Sequence, residues 1–281
     1  MVTFIGVKLK LRGPLTELPR ADTLFGAIAN AVSLLEGKKA VEELVDAFRE
    51  GARISSAFPY LGRSAYLPKP LTAELIDIGE DLMKMKKVKK ATYLDLKNFE
   101  RVLKLQPFEV PEGKTHVVED VPKVVLDRVT QDSSIYFWEE VKFREDAGLY
   151  FLYSGPDDVF RDFIEPAVRL LGDTGLSGKS TWGFGLFEPD FGRFSMETPE
   201  SPYSVTLSNA MPTKTPILWR ILRKGGWSRG RRKPKMTFIA EGSVVKGDSG
   251  RFERLSLGLP FDVYVYGLTF PVPTLLPEGL E

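Results

Sequence analysis

The sequence contains no cysteine, which excludes disulfides, thiolate metal centres and cysteine nucleophiles. It contains one histidine, His116, so no set of imidazoles can hold a metal and at most one can act as a general base. Only three asparagines and two glutamines stand among many charges, a composition in keeping with a heat-adapted protein. The longest nearly apolar stretch, Leu24 to Leu35, is too short to cross a bilayer, which takes roughly 20 residues. Met1 leads straight into a strand-like run rather than into a basic and then apolar leader, so a cytoplasmic location and no membrane contact are expected. These absences argue against most hydrolase and metal chemistry, and neither a metal nor a cofactor is expected.

What is present is an ordinary globular composition over 281 residues, 43% apolar and 27% charged, with an uneven charge distribution. The net charge is +1, yet Lys84 to Lys90 holds five lysines and no acid, and Lys214 to Lys235 holds nine basic residues and no acid. Those stretches account for 14 of the 39 basic residues, leaving 25 against 38 acidic ones. An acidic body with concentrated basic stretches suits localised anion binding better than a uniformly sticky surface. For Lys84 to Lys90 a solvated helix face suffices. The second stretch interleaves Trp219 and Trp227 with Arg220, Arg223, Lys224 and Arg229 to Lys233, the mixture expected for phosphates and unstacked bases. A solvated loop docking an acidic protein explains it equally well.

Periodicity organises the rest. Residues 2 to 12 alternate Val7, Leu9 and Leu11 with Lys8, Lys10 and Arg12, a half-buried strand. A helix is expected from an N-cap at Asp22, with Leu24, Ile28, Ala31 and Leu35 on one stripe and Gly37 as its stop, and a second to about Arg49. Residues 52 to 72 read as a Pro-rich loop, 73 to 105 as largely helical and 106 to 122 as Pro-punctuated. The aromatic runs Ile135 to Arg144 and Leu149 to Ser154 read as a hairpin, Pro156 to Leu171 as a helix, and Trp182 to Phe187 as a strand closed by Pro189. Setting aside an insertion at 38–130, the order is βαββαβ. That predicts an α+β, ferredoxin-like (RRM-like) domain over 1–195. Residues 196–281 read as a second, β-rich degenerate RRM-like domain, with helical spacing only at Pro216 to Arg223.

The sharpest local signal is the glycine-rich segment Gly172 to Gly185. Gly178-Lys179-Ser180 matches the end of a phosphate-binding P-loop, but the glycine required five residues earlier is replaced by Asp173. A P-loop also follows a strand and opens a helix, whereas this segment follows a helix and precedes Trp-Gly-Phe-Gly. Phosphate affinity survives that mismatch. Glycines let backbone N–H groups approach an anion, and Lys179 adds charge beside the Ser180 and Thr181 hydroxyls. A tight turn whose glycines serve only geometry remains the alternative.

Several ordered motifs accompany this loop: Asp22-Thr23-Leu24-Phe25-Gly26-Ala27-Ile28, Phe58-Pro59-Tyr60, Leu67-Pro68-Lys69-Pro70 and Leu126-Asp127-Arg128-Val129-Thr130. Later come Gly183-Phe184-Gly185, Lys224-Gly225-Gly226-Trp227, Ala240-Glu241-Gly242-Ser243 and Tyr266-Gly267-Leu268. With them the chain resembles the RAMP superfamily of CRISPR proteins along nearly its whole length. Within that superfamily it is similar to the fourth Csm subunits that cap the crRNA of type III-A effector complexes. The resemblance implies a non-catalytic RNA-binding subunit that grips the crRNA 5′ handle. It also implies partners: the large polymerase–cyclase subunit, a backbone Csm RAMP subunit and, indirectly, target RNA. A β-hairpin thumb is mapped to about 117–138. The RNA contacts carried over are Gly175, Leu176, Ser177, Gly178, Lys179, Ser180, Thr181 and Trp182, with Arg128, Lys69, Arg20 and Arg220. No residue matches the cleaving aspartate of backbone subunits; Asp132 and Asp173 read as cap or turn residues, and His116 as an exposed loop residue. Two alternatives stay open: a RAMP-type metal-independent endoribonuclease that cuts repeat RNA, and a P-loop-like nucleotide binder that Lys179→Ala would disable.

Overall fold

The computed structural model describes residues 1–77, 79, 82–176 and 178–280. The N-terminal alternation builds the strand Val2–Leu11, in which Val7 and Leu9 are fully buried while Lys8 and Lys10 are exposed. It pairs antiparallel with Ala147–Ser154 on one side and with Phe187–Met196 on the other. Beyond Ala147–Ser154 lie Arg53–Ile54 and Phe58–Leu61, followed by Ser64–Pro68 and Tyr93–Asp95. The helix Ala21–Leu35 and the helical run from Asp157 to Thr174 pack on one face. The four main strands therefore lie side by side in the order fourth, first, third, second, joined by two helices on one face. This is the ferredoxin-like arrangement.

Three local readings change. The second strand of the motif is Phe58–Leu61 with its neighbour Arg53–Ile54, inside the segment that reads as a loop. The aromatic run does not fold back on Ala147–Ser154. Instead Ser133–Phe143 pairs along its full length with His116–Leu126, forming a long arm whose strands run from His116↔Phe143 to Leu126↔Ser133. Pro189 does not end a strand; it lies within Phe187–Met196, an edge strand, where a missing N–H on the outer side costs no ladder bond. Between 82 and 105, the helices Leu82–Lys90 and Leu96–Leu103 flank the short strand Tyr93–Asp95.

The C-terminal portion is all β among the described residues, and 216–223 is not helical. Tyr203–Thr206 sits between Val244–Lys246 and Pro271–Pro273, and Ile221–Ser228 pairs with Arg231–Ile239 in a second protruding hairpin, bulged between Lys224 and Gly226. Residues 196–281 do not pack apart from the rest. Val205, Val244, Phe270 and Val272 share a core with Phe58, Phe99, Val102, Tyr150 and Leu152, covering much of the helix-free face of the main sheet. Tyr266 enters the helix-side core against Phe25, with ring centroids 5.4 Å apart, and its hydroxyl donates to the Ile54 carbonyl at 3.1 Å. Burial of each such side chain contributes roughly 1.5–3 kcal/mol, so the two portions stabilise one another.

Candidate nucleic-acid interface

The helix Glu165–Thr174 ends at Gly175, whose φ of +88° is disfavoured for any residue with a side chain. A Cβ there would lie 2.6 Å from the Phe184 carbonyl oxygen, so glycine is also required sterically. The loop is tied down at both ends: Leu176 N–H donates to Gly185 O at 3.0 Å, and Gly185 N–H donates to Pro14 O at 2.9 Å. Leu176 and Phe184 are buried beneath it, whereas Gly178 and Thr181 are exposed and Lys179 and Ser180 partly so. Ser177 lies outside the described residues. The loop opens only a single 3₁₀ turn, Ser180–Trp182, before Phe187–Met196, so no helix N-terminus aims at an anion as in a P-loop.

The arm meets this loop through Trp138. Lys179 Nζ stands 4.7 Å from the Trp138 ring centre and 4.5 Å from that of Trp182, and the two indoles are 6.4 Å apart. Cation–π attraction of this kind fixes the ammonium at the mouth of the loop while leaving Trp182 52% exposed. Trp138 is the residue that sequence reasoning missed as a loop partner, although it ends the segment mapped as the thumb. Arg128 is remote from the loop along the arm, exposed in the tip turn 127–132. There Asp127 Oδ1 accepts the N–H groups of Val129 and Thr130 at 2.7 and 3.1 Å, which lowers the Asp127 pKa. His116 begins the arm half-buried against Phe143, not in an exposed loop, and burial lowers its pKa.

A second convergence forms at the start of the helix Ala21–Leu35. Its N-cap position is Arg20, not Asp22, and the open N–H groups are satisfied from afar: Ser56 Oγ accepts from Ala21 at 2.9 Å and Asn209 Oδ1 from Asp22 at 3.3 Å. The Arg20 guanidinium pairs with Glu241, which also accepts the Ser56 hydroxyl. Burial, and next the Glu241 charge, push the nearby Tyr93 phenol up to about 12. Asp22 is buried and receives Lys224 Nζ at 2.8 Å; the same ammonium donates to Thr23 Oγ1 at 2.5 Å. Lys233 on the facing strand has a lowered pKa, through burial and the neighbouring Lys224.

Lys69 does not reach the surface. Its side chain is 3% exposed, and Nζ pairs with Glu74 at 2.7 Å and donates to the Val88 carbonyl at 2.7 Å. Burial and these bonds make it a structural lysine that cannot also contact RNA in this arrangement. Gly242 packs on its backbone, where a Cβ would come within 2.4 Å of Lys69 O. Arg220 is exposed on the way into the basic hairpin and 4.0 Å from Glu74. Sequence-distant motifs thus assemble into one scaffold, with the exposed cations on the hairpin and at the loop.

A ferredoxin-like core carrying a glycine-rich helix-to-strand loop, with a long arm packed against that loop, defines a RAMP-type protein. No family model matches the chain. It is 64% identical over 289 residues to the CRISPR system Cms protein Csm4 of Thermococcus onnurineus (strain NA1), with all of both chains covered. It is 26% identical to the Csm4 protein of Streptococcus thermophilus, over 68% of this chain and 64% of that one. A crystal structure of a Csm1-Csm4 cassette in complex with pppApA superposes with a TM-score of 0.85 at 56% identity, covering 99% of this chain and 100% of the other. A Csm3-Csm4 subcomplex of a type III-A CRISPR-Cas interference complex shares the fold, with a TM-score of 0.69 at 18% identity over 98% of this chain and 100% of that one. The chain belongs to the Csm4 family of type III CRISPR proteins.

Proposed function

We propose that this protein is a non-catalytic subunit that grips the 5′ handle of crRNA and joins the large polymerase–cyclase subunit to the filament of backbone RAMP subunits. The observation that carries the reading is the position of Lys179 between Trp138 and Trp182, where the arm closes on the glycine loop. An ammonium, exposed glycine backbone and a half-exposed indole at one mouth suit a phosphate followed by an unstacked base. The exposed arm, carrying Arg128 at its tip, and the basic hairpin extend the same cationic chemistry along the molecule. The partners follow the relatives, which were crystallised as a Csm1-Csm4 cassette and a Csm3-Csm4 subcomplex.

The test is a titration of the full chain with labelled 5′-handle RNA and a scrambled RNA across a salt series, with Mg-ATP as competitor. The expected result is salt-dependent binding that prefers the handle, leaves the RNA uncut and ignores ATP. Cleavage of repeat RNA would replace this reading with the endoribonuclease, and competition by ATP with the nucleotide binder. Because a groove shared with a partner is complete only beside it, the titration is repeated with the large subunit present. Failure to bind in both settings refutes the reading.

A further inference from the structure

The helix-free face of the main sheet is not wholly covered by the C-terminal strands. A cleft of about 160 Å³ opens on it, lined by residues of the strands Val2–Leu11, Phe58–Leu61, Ala147–Ser154 and Phe187–Met196. Its floor is bare: Gly6 and Gly192 are direct cross-strand partners, and a Cβ at Gly192 would meet nothing within 4 Å. Its walls are flat. The ring of Phe194 stacks on Tyr150 with centroids 5.4 Å apart and planes 20° apart. Tyr60 lies across Gly148, where a Cβ would come within 2.7 Å of its hydroxyl. Its rim is cationic, with Lys8 Nζ 5.6 Å from the Tyr60 ring centre and Arg63 in the adjoining turn, both exposed and neither in an ion pair among the described residues. One acid, Asp190, lies across from Lys8.

Tyr60 belongs to the Phe58-Pro59-Tyr60 motif, for which the glycine loop and the two hairpins provide no use. The glycine loop leaves the sheet near Phe187, five residues from Gly192 and therefore about 17 Å away along the strand. The cleft is thus a separate site on the opposite face from the helices. It is smaller than the roughly 300–1,000 Å³ that accommodates drug-sized ligands, and it matches one planar ring system instead. A glycine floor lets a planar group reach the backbone, aromatic side chains offer stacking to any base, and two unpaired cations suit a phosphate.

We infer that this cleft is a second nucleotide subsite. It takes one unstacked base over Gly6 and Gly192 between Tyr60 and Phe194, with the attached phosphate at Lys8 and Arg63. The chemistry is common to a residue of an RNA strand and to a free mononucleotide. The test is calorimetric titration of the full chain in a Lys179→Ala background, which keeps the loop site out of the signal, with AMP and with tetra-adenylate as probes. Gly192→Val, which projects into open space, should weaken binding at least tenfold without lowering the melting temperature. Lys8→Glu/Arg63→Glu, on the exposed rim, should do the same and flatten the salt dependence. Tetra-adenylate binding tightly with AMP weak assigns the subsite to a strand; equal affinities assign it to a free mononucleotide. Failure of both probes to bind, or equal binding by Gly192→Val and its parent, overturns the inference. Neither result bears on the loop, whose own test is the salt slope of handle RNA.

Discussion

Loss of Asp22 should destabilise the protein more than loss of the lysine it pairs with, and removing both should restore most of the stability. The Asp22 and Lys224 side chains are 6% and 17% exposed, and their charged atoms are 2.8 Å apart. Breaking a buried pair from one side typically costs about 3–5 kcal/mol, because the remaining charge is stranded. The two sides differ here. Asp22→Asn leaves Lys224 and the half-buried Lys233 facing each other without their carboxylate, and Lys233 already has a lowered pKa beside Lys224. Lys224→Met leaves Asp22 near Lys233 and in the first turn of a helix, where the macrodipole favours an anion by about 0.3–1 kcal/mol. We therefore expect about 3 kcal/mol or more for Asp22→Asn, a smaller loss for Lys224→Met, and a double variant less destabilised than Asp22→Asn alone. Denaturant unfolding of the four proteins measures the cycle. At about 2–4 °C per kcal/mol for a chain of this size, the Asp22→Asn melting temperature falls by roughly 6–12 °C. Equal single losses that add in the double variant would refute the reasoning, since additivity means the two groups do not interact.

Three further outcomes follow from the same structure. Lys179→Ala should weaken handle RNA binding and reduce the log–log salt slope by about 0.7, the contribution of one neutralised phosphate on a single strand; an unchanged slope removes Lys179 from the phosphate path. Gly175→Ala, at φ +88° with the Phe184 carbonyl 2.6 Å from the new Cβ, should cost about 1–3 kcal/mol or more by thermal unfolding, and a neutral result would mean the loop is free to rearrange. The His116 pKa lies below its usual value because burial disfavours the imidazolium, so the unfolded arm binds a proton at higher pH than the folded arm. Arm stability should be full above the ordinary histidine pKa of about 6.5 and fall as pH drops through it, levelling off once the folded form is protonated too. Hydrogen exchange in 116–143 at two pH values checks this, with His116→Phe expected to abolish the difference.

The first strand, the helix to Leu35, the helix to Arg49 and the glycine loop were legible in the sequence because each carries a local signal: alternation, an apolar stripe or a glycine cluster. Pairing was less legible. Glu145-Asp146-Ala147-Gly148 has turn chemistry, so from sequence the aromatic run before it reads as pairing with the strand after it. Its actual partner, His116–Leu126, contains Pro122 and adjoins a Pro-punctuated stretch. The second strand of the core was hidden for a similar reason, since Pro59 in Phe58–Leu61 imitates a loop. At the site, composition marked the loop and the basic hairpin as cationic. It could not show that Lys69 and Lys224 are used internally, because burial of a lysine depends on how the chain folds back around it: Glu74 and the Val88 carbonyl close on Lys69 from 5 and 19 positions away, and Lys224 meets Asp22 across 202 positions. Trp138 likewise has no local signal for its contact with Lys179; only the placement of the arm supplies it.

The most direct measurement is ultraviolet crosslinking of the crRNA handle within the assembled complex, with the attached peptides mapped by mass spectrometry. Handle nucleotides should crosslink to the peptide containing Trp182, with Trp138 as the accompanying site on the arm. Crosslinks confined to other surfaces, with the loop at 175–182 unlabelled, would contradict the assignment of the handle to the mouth between loop and arm.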